Sequence, residues 1–128
     1  MKTKQPLPAA IKTICKHDLA SYQKAVQTIQ KYDGEPIRDE YGKRCQKVVK
    51  SIDTLKDGYD DYTQDVLDLV FLRRDAVSVE AAADILGVGK TSIYHVINEI
   101  MIDYATKMGY VQAKQRKKKE GGKEEWVS

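Results

Sequence analysis

From Pro8 to Tyr32 the apolar positions Ile11, Ile14, Cys15, Leu19, Tyr22, Val26 and Ile29 recur at three- and four-residue steps, the spacing of one face of an α-helix. The pattern predicts a single helix, stopped by Asp33, Gly34 and Pro36. A second set, Ile37, Tyr41, Cys45, Val48, Ile52 and Leu55, keeps the same rhythm until Asp57 and Gly58. Within it, Gly42 is expected to weaken the helix by about 1 kcal/mol relative to alanine. A third helix starts at Asp60 and Asp61, suited to capping or to the first turn, and runs through Val66, Leu67, Val70 and Phe71 towards Arg73 and Arg74. Ser78 can cap a short fourth helix, Val79 to Leu86, ended by Gly87. A long fifth helix from Lys90 carries Ile93, Ile97, Ile100, Met101, Tyr104 and Met108 on one stripe, with Gly109 just past its end. The expected fold is all-α, with about five helices.

Three segments follow from this reading: an N-terminal two-helix segment over 1–57, a second helical unit over 58–111, and a basic tail over 112–128. The tail holds Lys114, Arg116, Lys117, Lys118, Lys119 and a Gly-Gly pair, and is expected to be a frayed helix end followed by disordered chain. No apolar run approaches the roughly 20 residues of a membrane span, and no signal-peptide core follows Met1. A cytoplasmic protein with no membrane partner is expected. Cys15 and Cys45 form no metal-binding pair and fall on apolar faces, so buried, reduced thiols are expected.

The net charge of +3 hides an uneven distribution. Residues 1–52 sum to +6, 53–75 to −4, 76–111 to −2 and 112–128 to +3. Positive charge therefore sits at both ends of the chain, and the middle is acidic.

The segment SVEAAADILGVGKTSIYHVINEI carries the main functional signal. With Gly87 as the turn residue, small Ala83 sits where two helices cross closely, Val88 plugs the turn, and Ile93 and Val96 tie the second helix back to the first. These are the requirements of a helix-turn-helix. Together with the apolar helix VLDLVFLRR and the ending DYATKMG, the segment resembles region 4 of bacterial sigma factors, which binds the promoter. Among chains of this length it is similar to the ArpU/RinA type of phage late-gene transcription regulator, over roughly residues 53–110. The resemblance implies a phage- or prophage-encoded DNA-binding activator of a late or packaging operon, with its recognition helix on Gly89 to Asn98.

Helical geometry leads to the same face without the family. If Ile93, Val96 and Ile97 turn inward, then Lys90, Thr91, Ser92, Tyr94, His95 and Asn98 turn outward. Lys90 can reach phosphate or guanine, Asn98 can pair bidentately with adenine, Thr91 and Ser92 can donate to phosphates or base edges, and Tyr94 can donate to phosphate. Because 76–111 is net negative, cationic help is expected from Arg73 and Arg74, the basic tail, the first helices or dimerisation.

Other chemistry is less well supported. Gly87, Gly89, Lys90 and Thr91 spell part of a phosphate-binding loop, but Asp84 stands where its first glycine belongs and no strand precedes it. Asp61, Asp65 and Asp68 share a helical face but lack the alternating ligands and glycine of a calcium loop. His17 and His95 have no partner at metal-ligand spacing, and no nucleophile motif is present. No enzyme activity, cofactor or metal is expected. The leading expectation is a sequence-specific transcription regulator that binds double-stranded DNA, its first helices forming a homodimer or higher oligomer or touching RNA polymerase. Alternatives are a small-terminase-like DNA-packaging recognition subunit and a protein-interaction adaptor that never meets DNA.

Overall fold

The computed structural model describes residues 7–111. Their regular structure is entirely helical: α1 (Ala9–Ala20), α2 (Tyr22–Gln30), α3 (Glu40–Asp57), α4 (Asp61–Leu67), a π-helical segment (Asp68–Leu72), α5 (Val79–Leu86) and α6 (Lys90–Met108). The expected all-α class is observed. The basic tail over 112–128 lies outside the described residues, and no helix among the described residues is long and apolar enough to cross a membrane.

The single helix expected over Pro8–Tyr32 is two. Ser21 leaves the helical conformation at φ −88° and ψ 3°, and its hydroxyl donates to the His17 carbonyl at 2.6 Å. Its N–H is shared between the His17 and Asp18 carbonyls, at 3.0 and 3.1 Å. A serine bonding back to the preceding turn competes with continuation of the helix. The break lets the two halves serve different neighbours, α1 packing on α6 and the π-helical segment while α2 lies along α3. Periodicity alone carried through the break because Tyr22 and Val26 keep the helical spacing on the far side of it.

The second helix begins later than expected, at Glu40, because Asp39 caps it by accepting from the Gly42 N–H at 3.0 Å. Ile37 therefore precedes the helix and folds back over it. The structure also reverses the reading of Gly42. A Cβ there would lie 2.5 Å from Ile37 Cγ2 and 2.6 Å from the Tyr32 hydroxyl, and that hydroxyl is itself held by Asp39. Overpacking of this kind costs about 1–3 kcal/mol, more than the gain of about 1 kcal/mol that alanine brings to a helix interior. Gly42→Ala is therefore expected to lower the urea midpoint of unfolding; a raised midpoint would contradict this reading of the contact.

The third helix also departs from regularity. After Leu67 the hydrogen bonding widens, and the Arg73 N–H closes on the Asp68 carbonyl at 3.0 Å. The wider turn buries Leu69, Phe71 and Leu72 together. Carbonyls freed by it are taken up by the Val77 N–H, on Leu69 at 2.8 Å, and by the Gln23 side-chain amide, on Leu72 at 2.9 Å.

Downstream, the expected boundaries are observed. Asp60 caps α4 through the Thr63 N–H at 2.9 Å, and Ser78 caps α5 through the Ala81 N–H at 3.1 Å. Gly87 takes a left-handed conformation, φ 70°, which allows the Val88 N–H to reach back to the Ala83 carbonyl at 3.0 Å. α6 is the central helix, packed against α1, α3, α4 and α5. Its expected stripe from Ile93 to Met108 is buried, and so are Ile102 and Ala105, because neighbours cover more than one face.

Both cysteines are buried and free. Burial, reinforced by the charge of Asp18, pushes the Cys15 thiol up to about 11, so it behaves as a small apolar residue. Cys15, Leu19, Val48 and Ile52 from the N-terminal helices share one core with Val66, Leu67, Ile93 and Ile100.

A charged hub crosses that core. Asp18, only 4% exposed, accepts from the Tyr104 hydroxyl at 2.9 Å, the Tyr110 hydroxyl at 2.6 Å and Arg44 Nη2 at 2.9 and 3.1 Å. Arg44 also donates to Tyr110, at 2.9 Å. Burial and the adjacent Asp18 raise the Tyr104 hydroxyl well above the ordinary tyrosine range. Helices α1, α3 and α6 are thereby joined through one carboxylate.

Candidate nucleic-acid interface

Three residues, Gly87–Gly89, separate α5 from α6. Ala82 and Ala83 are buried on the α5 side, Ile93 and Ile97 on the α6 side, and Val88 is half-buried between them. Small side chains on α5 let the two helices approach closely, and the buried isoleucines fix the rotation of α6 about its axis.

That rotation leaves Gly89, Lys90, Thr91, Ser92, Tyr94, His95 and Asn98 exposed over the first part of α6. Tyr94 is 55% exposed. Among the described residues the side chains of Thr91, Ser92, Tyr94, His95 and Asn98 make no internal hydrogen bond. Their donors and acceptors thus face outward on one helical surface. Lys90 stands 4.0 Å from Glu80, with both side chains well exposed, a contact too loose and too wet to hold it.

Arg73 and Arg74 lie apart in sequence, in the loop leading from the π-helical segment to α5, and both are exposed. Asp75 takes Arg73 through two hydrogen bonds, at 3.1 and 3.0 Å. In turn the Arg73 guanidinium holds the Asp75 carboxyl below the usual carboxylate range. Arg74 has no ion-pair partner among the described residues. The acidic face considered for a cation is divided: Lys56 draws Asp68 at 2.8 Å, while Asp61 and Asp65 face solvent. No group of three or more metal-ligating side chains occurs among the described residues.

The features that sequence reasoning missed are the Asp18 hub and the exposed Ile85 on α5, 58% exposed. A signal for the hub existed, since Asp18 lies three residues after Cys15 and four after Ile14 on an otherwise apolar face. Its partners, 26 to 92 residues away, had no local signature. Compared with family models, curated proteins and solved structures, the chain matches none.

Proposed function

We propose that this protein is a sequence-specific DNA-binding transcription regulator whose α5, turn and α6 act as a helix-turn-helix, with the start of α6 entering a major groove. The observation that carries the reading is the row of outward, internally unbonded polar and aromatic side chains on the first turns of α6, mounted on a helix whose other face is locked into the core. A rigid helix presenting Lys90, Thr91, Ser92, Tyr94 and Asn98 offers donors to phosphates and a carboxamide to adenine. The resemblance to sigma region 4 and to ArpU/RinA-type regulators supports the same assignment and adds activation of a phage late operon. On this reading the protein is a binding protein and not an enzyme.

The test is anisotropy binding of the full chain to tiled DNA from around its own gene, against scrambled DNA, at two salt concentrations. One tile should bind tightly and keep its preference when salt and competitor are raised. One observation favours a second reading, the net charge of −2 over residues 76–111, where Glu80 stands 4.0 Å from Lys90 and Asp84 is exposed on α5. A complete absence of salt-sensitive DNA binding would select a protein-interaction adaptor, and a ring-sized particle in light scattering would select a packaging subunit.

A further inference from the structure

Helix α3 carries an exposed row of charges that changes sign along its length: Lys43, Lys47 and Lys50, then Asp53 and Asp57. These side chains border one open groove, whose apolar residues are Ile29 from α2 and Val49. On this row Lys43 and Lys47 lie in the first half of the helix, Lys50 just past its middle, and Asp53 and Asp57 towards its end. The helix ends themselves carry Asp39 and Glu40 at the start and Lys56 in the last turn, as the helix dipole favours. Asp53 is held in place by the Tyr22 hydroxyl, which donates to it at 2.7 Å, while Lys43, Lys50 and Asp57 join no salt bridge among the described residues.

We propose that this face binds a second copy of the chain in a two-fold dimer, with the two α3 helices antiparallel. An antiparallel pair in register about Lys50 sets Lys43 against Asp57 of the other copy, seven residues either side of the axis, and Lys47 against Asp53, three residues either side. Each contact occurs twice, as a two-fold interface requires. Lys50 falls on the axis, where its flexible stem lets the two ammonium groups diverge. A polyanion would be attracted by one half of the row and repelled by the other, so charge complementarity favours a second copy over nucleic acid here.

The interface leaves the start of α6 uncovered. Lys47 Nζ donates to the Met108 carbonyl at 3.4 Å, at the far end of α6, and Lys90 is 18 residues away along that helix, about 27 Å. The dimer deepens the proposed function, since it would present two α6 faces to a site with two-fold symmetry. Exposed ion pairs contribute little each, so the dimer is weak, and raising the salt concentration dissociates it.

Sedimentation of the full chain without DNA tests this independently of the DNA reading, so either can fail while the other stands. The wild type should dimerise reversibly, and less at high salt. Lys43→Glu alone and Asp57→Lys alone should each raise the dimer Kd about tenfold, because each places like charges in contact twice. The double variant K43E/D57K should restore the wild-type Kd within a few-fold. Positions 43 and 57 are about 21 Å apart on one helix, so this rescue cannot arise within one copy. Both reversals agree with the helix dipole, so neither is expected to unfold the chain. A wild type that sediments as a monomer at every concentration, or a dimer that the single reversals leave unchanged, or a double variant that stays dissociated, would overturn the proposal.

Discussion

Asp18→Ala is expected to lower the stability of the chain by about 2–3 kcal/mol, the largest loss from any single substitution outside the apolar core. The carboxylate is the common acceptor for Tyr104, Tyr110 and Arg44. Removing it strands the Tyr104 hydroxyl, which is fully buried, and leaves Arg44 without its counter-charge. Breaking a wholly buried pair costs about 3–5 kcal/mol, but the Arg44 side chain is 49% exposed and water can recover part of its solvation. Arg44→Ala should also destabilise the chain, because it leaves the buried Asp18 carboxylate without a counter-charge, although Tyr104 and Tyr110 still donate to it. Urea unfolding followed by circular dichroism orders the two variants. A loss below about 0.5 kcal/mol for Asp18→Ala, the range of an ordinary surface substitution, would remove the hub from the account of stability.

The contrast between this hub and α6 shows which parts of the molecule local pattern could reveal. The boundaries of α5 and α6 follow from Ser78, Gly87 and Gly109, residues whose capping and left-handed conformations act within a few positions of themselves. The outward face of α6 was legible for the same reason, because Ile93 and Ile97 set its rotation. The break at Ser21 was not legible. It depends on α1 and α2 facing different neighbours, and the hydroxyl bond that marks it is available to any helical serine. At Gly42 propensity pointed the wrong way, since the space that forbids a Cβ is filled by Tyr32 and Ile37 folding over the start of α3. The π-helical turn likewise serves burial of Leu69, Phe71 and Leu72, a tertiary demand with no local sequence mark.

Substitutions on the exposed face of α6 should produce the second large effect, this time on affinity with stability unchanged. Lys90→Ala, Tyr94→Ala and Asn98→Ala remove exposed side chains that make no internal hydrogen bond, so each should shift unfolding by no more than about 0.5 kcal/mol. Against the preferred DNA tile, each should cost about 1–3 kcal/mol, roughly a fivefold to 150-fold loss. Their signatures should differ. Lys90→Ala should weaken all sequences together and reduce the salt slope by about one if the ammonium meets a phosphate. Asn98→Ala should instead relax the preference at one base pair, the expected result for a lost bidentate contact to adenine. Unchanged affinity in Lys90→Ala and Tyr94→Ala would detach DNA binding from this face.

The proposal that the start of α6 meets a DNA duplex can be tested residue by residue. Backbone amide NMR spectra of the full chain, titrated with the tile selected by anisotropy, should show their largest shifts from Gly89 to Asn98, with smaller ones at Arg73 and Arg74. Shifts confined to α2 and α3, or a spectrum that no tile alters, would contradict the assignment of α6 as the reading helix.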